Sequence, residues 1–172
     1  RQFCFTNRGD AMFVPVEVRP SNIFGKGLFP TRDVQRGKII CSFTTDAKVI
    51  TEKQYVEAIE ANRYLIVRTG TRYVGKYFTH TEEPDTEMNF FNHAFDPNLL
   101  CHCGVVIALR DVTGGEEFTI DYRTLVDDTD IGVYSDAGSG NIIKGFSARE
   151  TLLRTTRQML ELVESLGDGW QG

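Results

Sequence analysis

The chain has 172 residues, 41% of them apolar and 25% charged, which suits one globular domain with a substantial core and excludes disorder as the main state. Its longest unbroken apolar run, Val105 to Leu109, falls far short of the ~20 residues of a membrane-spanning helix, so a soluble domain with no membrane partner is expected. Nineteen basic against twenty-four acidic side chains leave a net charge of −5, and no direct nucleic-acid partner is expected.

In chain order, Met12-Phe13-Val14 and Ile39-Ile40-Cys41-Ser42-Phe43 read as short strands separated by turn signals at Arg19-Pro20-Ser21-Asn22 and Arg36-Gly37. Thr51 and Gln54 resemble a capping box, and Tyr55, Val56, Ile59 and Tyr64 lie near helical spacing, which predicts a helix from about Glu52 to Asn62. Tyr64 to Val67, Tyr73-Val74, Val105 to Leu109 and Glu117 to Ile120 have β composition, with a polar loop over Thr79 to Thr86. Ser147 and Glu150 form a second capping box ahead of Leu152, Leu153, Thr156, Met159, Leu160, Val163 and Leu166, an amphipathic C-terminal helix. Gly138-Ser139-Gly140 and Gly167 to Gly172 read as flexible punctuation, and no internal repeat is visible.

Cys4, Cys41, Cys101 and Cys103 form neither a dense disulfide framework nor a paired C-x-x-C ribbon, so reduced thiols in an intracellular protein are expected, cytoplasm or nucleus being left open. The chain starts at Arg1 rather than Met, as a fragment or a processed product would. From Asp111 to Ile143 there are eight acidic residues against the single base Arg123. That stretch is either a solvated loop or a rim that attracts a cationic substrate.

Three segments carry chemistry. Gly25-Lys26-Gly27 alone is a tight turn and lacks the strand–turn–helix setting of a nucleotide fingerprint. Asn92-His93, followed by Asp96-Pro97-Asn98, is by itself as consistent with a buried polar pair as with a binding site, and Tyr122 alone is consistent with a packed core tyrosine. Together, the G-x-G-L-F turn with Arg36-Gly37-Lys38-Ile39-Ile40, then Asn92-His93-x-x-Asp96-Pro97-Asn98, then Gly115 to Tyr122 (G-E-E-F-T-I-D-Y) resemble the SET-domain protein lysine methyltransferases over residues 12 to 125.

The resemblance implies a mainly β fold of small curved sheets with few helices, in which the segment holding Tyr122 threads through a loop near Asn92-His93. It also implies a division into a SET domain at 1–125 and an extension at 126–172 that carries the C-terminal helix. The implied activity is methyl transfer from S-adenosylmethionine, with S-adenosylhomocysteine as product, to a lysine amine of a protein substrate, a histone or another basic protein. Tyr122 becomes the catalytic candidate. Gly25, Lys26, Gly27, Leu28, Tyr64, Asn92 and His93 become the cofactor-binding set, and Phe43, Phe118 and Ile120 line the substrate channel or the core.

The departures are specific. Ala94-Phe95 replace the usual hydroxyl and thiol after Asn-His, Asn89 stands at the cofactor pocket where arginine is usual, and Phe43 stands where a channel tyrosine is expected. Residues 133–146 carry no cysteine, so no zinc cluster is expected there; Phe146 is a candidate cover for the cofactor's adenine. Cys101-His102-Cys103 point alternately to opposite faces of a strand and do not converge on a metal. The alternative to an enzyme is a catalytically weak or inactive interaction module. The apolar stripe of the C-terminal helix suits packing on the domain or a homodimer contact.

Overall fold

The computed structural model describes residues 12–42, 48–50, 53, 57, 71–73, 76–79, 87–125 and 134–167. Among these, the chain is mainly β. The strands are β1 (Val16–Pro20), β2 (Lys26–Pro30), β3 (Ile39–Ser42), β4 (Lys48–Ile50), β5 (Thr71–Tyr73), β6 (Lys76–Thr79), β7 (Asn92–His93), β8 (Leu99–His102), β9 (Val105–Ala108) and β10 (Thr119–Ile120). One long helix, α1 (Ala148–Leu166), closes the described chain. No helix among these residues is long and apolar enough to cross a membrane.

The strands pair in small sheets: β1 with β2, β3–β9–β8, and β4–β6–β5, all antiparallel, while β7 and β10 pair in parallel. The first strand begins later than its composition suggests. Met12 makes only an isolated bridge to Cys41, and continuous pairing starts beyond Pro15, whose missing amide hydrogen interrupts a ladder. The predicted helix at 52–62 falls outside the described residues except for Lys53 and Glu57, both helical, and the strand at 64–67 and most of the 79–86 loop also lie outside them.

β8 and β9 explain their own apolar run. Leu99, Cys101, Val106 and Ala108 face a core shared with Leu28, Val34, Ile40, Val112, Phe118 and Ile120. The other face carries the buried Leu100 and Ile107 together with His102, whose Nδ1 lies 3.0 Å from Oγ1 of Thr155 on α1. A sheet covered on both sides loses strict alternation.

The second capping box forms as expected, with Ser147 Oγ accepting from the Glu150 amide and Gly167 ending the helix at φ 69°. The buried seam of α1 differs from the predicted stripe. Among its described side chains Thr155 and Leu162 are buried, whereas Leu153, Leu160 and Val163 are 40%, 57% and 50% exposed. The covered face is the one that carries Thr155, against His102 of β8, and Leu162, so the apolar arc is wider than the part covered. The 138–140 stretch is also more ordered than its composition suggests. The Asp136 carboxylate accepts from the Ser139 amide at 2.7 Å and from its hydroxyl at 2.6 Å, closing a turn between the bridged Ser135 and Ile142.

Candidate functional site

β1 and β2 are joined by residues 21–25, a turn built around one serine. Ser21 follows Pro20, and its hydroxyl oxygen accepts from the amides of Ile23 (2.8 Å) and Phe24 (3.2 Å), while the Ser21 amide donates to the Gly25 carbonyl. Gly25 closes the turn at φ +52°, a conformation that glycine adopts without a Cβ penalty. Gly27 matters for a different reason: a Cβ there would stand 2.2 Å from Oε1 of Glu117, so a larger residue would displace that carboxylate.

The Asn92 side chain reaches across from β7 to this turn. Its Nδ2 lies 3.1 Å from the carbonyl oxygens of Phe24 and Lys26, 3.1 Å from Ser21 Oγ and 2.6 Å from Glu117 Oε1. Two amide hydrogens shared among four oxygens leave this group committed to the protein. Ser21 in turn donates to Glu117, with both carboxylate oxygens 2.8 Å from Oγ.

The segment bearing Tyr122 is stitched to the same place. The Phe118 amide donates to the Leu28 carbonyl, Asn92 and His93 pair with Thr119 and Ile120, and the Ala94 amide donates to Ile120. Asn98, 2% exposed, fastens the pairing: Nδ2 donates to the Glu117 carbonyl at 2.8 Å, and Oδ1 accepts from the Thr119 amide at 2.8 Å. Past β10 the chain turns at Asp121, which caps a short 3-10 turn at Tyr122–Thr124.

Tyr122 is therefore fixed at both ends. Its amide donates to Nδ1 of His93 at 3.1 Å, and its hydroxyl donates to the Phe91 carbonyl at 2.5 Å. The Tyr134 ring packs edge-on against it, with centroids 5.2 Å apart. Because His93 Nδ1 accepts, the neutral ring carries its proton on Nε2, and that buried nitrogen has no hydrogen-bond partner among the described residues. Burial holds the His93 pKa below the ordinary histidine value, against the upward pull of Asp121, the Ile120 backbone and Asp136.

Phe146 lies beside this region through its amide, which donates to the Arg123 carbonyl, and its ring carries the guanidinium groups of Arg123 (5.1 Å) and Arg154 (4.3 Å). Arg123 is held in turn by the Asp121 carboxylate at 2.6 Å and also covers Phe95. Phe118 and Ile120 are 0% and 2% exposed, within the hydrophobic core. Tyr64 and Phe43 fall outside the described residues, as does the Asn89 side chain, although its backbone belongs to the 3-10 turn Glu87–Phe90.

Gly25 to Leu28, Asn92, His93 and Tyr122 thus meet around one junction. Sequence reasoning quoted Ser21, Asn98 and Glu117 only as turn or motif members. For Asn98 and Glu117 the available signal was a polar residue directly before an apolar one, Leu99 and Phe118, where burial requires internal hydrogen-bond partners; Ser21 carried only its turn setting after Pro20.

Residues 25–123 match the SET domain family. The chain belongs to the SET-domain family. It is 24% identical over 139 residues to a variant-silencing SET domain-containing protein of Plasmodium falciparum (isolate 3D7), covering 69% of this chain and 5% of that protein. It is 28% identical over 134 residues to the histone-lysine N-methyltransferase trithorax of Drosophila virilis, covering 67% of this chain and 3% of that protein. The chain thus spans a twentieth or less of the length of these relatives.

Proposed function

We propose that this SET domain is an S-adenosylmethionine-dependent protein-lysine methyltransferase with Tyr122 as its catalytic residue. The observation that carries this reading is the double anchoring of Tyr122 to the Phe91-Asn92-His93 segment, whose Asn92 also holds the 21–27 turn. A donor site at the turn and a phenol for the acceptor are in this way positioned by one strand. The buried His93 Nε2, which has no partner among the described residues, fits a ligand that brings acceptor atoms, since leaving such a donor unpaired costs about 1–3 kcal/mol.

When bound, S-adenosylmethionine supplies a methyl made electrophilic by its cationic sulfur. The protein's task is then alignment and control of one proton. A free lysine, with a pKa of ~10.4, is almost wholly protonated at neutral pH, so a reactive amine requires surroundings that favour its neutral form. The aromatic rings of Tyr122 and Tyr134 provide weakly solvating walls. The Tyr122 hydroxyl donates its hydrogen to the Phe91 carbonyl, so toward a lysine amine it would serve as an acceptor for an N–H and orient the nitrogen's own lone pair.

The protein substrate in this reading is basic, drawn by the excess acid from Asp111 to Ile143. Calorimetric titration with S-adenosylmethionine comes first, because it needs no acceptor; micromolar binding that weakens in Asn92→Ala is expected. Tyr122→Phe should keep that affinity within about twofold while transfer of labelled methyl to a basic protein falls roughly 10²–10⁴-fold. Full transfer by Tyr122→Phe would remove Tyr122 from catalysis. Absence of cofactor binding by folded protein would identify an interaction module instead.

A further inference from the structure

The 21–27 turn has no apolar anchor at its tip: Phe24 is 74% exposed there. What fixes it is polar, and it converges on one carboxylate. Glu117 receives Ser21 Oγ on both oxygens and Asn92 Nδ2 on one, and it fills the space against Gly27 where a Cβ would stand. Its backbone is fixed as well, through the Asn98 amide on its carbonyl and the pairing of the neighbouring Phe118 with Leu28. Ser21 can accept from the Ile23 and Phe24 amides while its own hydrogen goes to Glu117. A carboxylate suits position 117 because both its oxygens accept and it is charged, whereas a glutamine would keep one acceptor and turn its NH2 toward a Ser21 oxygen that already accepts from two backbone amides.

We infer that Glu117 is a positioning residue: its carboxylate, acting through Ser21 and Asn92, sets the conformation of the 21–27 turn and so the affinity of the site for the adenosyl cofactor. This rests on the cofactor reading above. Hydrogen bonds to an ionised group contribute more than neutral ones, so one carboxylate can hold a turn that packing leaves free.

The test uses Glu117→Gln, Ser21→Ala, Ser21→Thr and the double variant Ser21→Ala with Glu117→Gln. Hydrogen exchange at the Ile23 and Phe24 amides, read without ligand, should quicken about tenfold in Glu117→Gln and in Ser21→Ala, a tenfold change being one hydrogen-bond-sized effect. Calorimetry should show S-adenosylmethionine and S-adenosylhomocysteine each binding about tenfold more weakly in those variants. The double variant should be no worse than the weaker single within about twofold, because both changes break the same link. Ser21→Thr, which keeps the hydroxyl, should restore both readouts.

Weakening confined to the cationic S-adenosylmethionine, with S-adenosylhomocysteine unaffected, would overturn the inference in favour of simple charge attraction. Unchanged exchange at Ile23 and Phe24, or multiplied losses in the double variant, would also overturn it. If the unaltered protein binds neither compound, the cofactor reading itself fails and the effect on affinity falls with it, whereas the exchange result still decides separately whether Glu117 holds the turn.

Discussion

The sheet β3–β9–β8 buries Ile40, Cys41, Leu99, Cys101, Val106 and Ala108, whereas the junction of β2, β7 and β10 buries Asn92, His93, Asn98 and Thr119 alongside Phe118 and Ile120. The first region is held by apolar contact, which is non-directional and roughly proportional to area. The second is held by directed hydrogen bonds between residues far apart in sequence, such as Asn92 with Lys26 and Asn98 with Thr119. Apolar packing tolerates exchange of similar volumes, while a polar network fails when one member is lost. A site that must present a turn and a phenol in fixed register gains its register from the second kind of contact.

Phe118 sits where the two regimes meet, and its replacement should give the largest loss of stability. It is fully buried, lies 6.3 Å from the Phe91 ring and donates its amide to Leu28. Phe118→Ala leaves a cavity that the flanking strands cannot close, and about 3–5 kcal/mol of unfolding free energy should disappear in a urea titration. A loss below about 1 kcal/mol would show that the junction does not share the core.

Asn98→Ala probes the polar side alone and should cost less. It leaves the Thr119 amide and the Glu117 carbonyl without their side-chain partners in a buried setting, worth about 1–3 kcal/mol. Asn98→Asp should not rescue it, because a carboxylate keeps the acceptor for Thr119 and loses the donor to Glu117. Equal stability of Asn98→Asp and the unaltered protein would mean that the donor contributes nothing.

This contrast explains what was legible in the sequence. Ser147 and Glu150 announce a helix start because capping is local, and Val105 to Ala108 announces a strand because its side chains are apolar throughout. The motif order pointed to one site around Gly25–Leu28, Asn92-His93 and Tyr122, and the structure places these residues at one junction. The roles of Ser21, Asn98 and Glu117 were hidden because each depends on a partner 19 to 96 residues away. The buried seam of α1 differs from the predicted stripe for a similar reason: the periodicity shows an apolar arc, but which part of it is covered depends on the partner surface, where Thr155 meets His102 of β8.

The smallest predicted effect concerns His93 and acid. Its Nδ1 accepts the Tyr122 amide, so a second ring proton would set donor against donor, and burial already lowers the pKa below the ordinary value of about 6.5. A histidine depressed in the folded state binds its proton more readily when unfolded. Stability from this group is therefore complete above about pH 6.5 and declines as pH falls from there through the lowered folded value, with a slope of at most about 1.4 kcal/mol per pH unit. His102, also lowered by burial, adds in the same direction, so the contribution of His93 must be read by difference. In His93→Asn, Oδ1 can still accept from Tyr122 but does not titrate. Urea unfolding between pH 7.5 and 5 should then show a shallower loss toward acid than in the unaltered protein; parallel curves would mean that the Tyr122 amide tolerates a protonated imidazole and that the anchor at this end of the tyrosine is weaker than its geometry indicates.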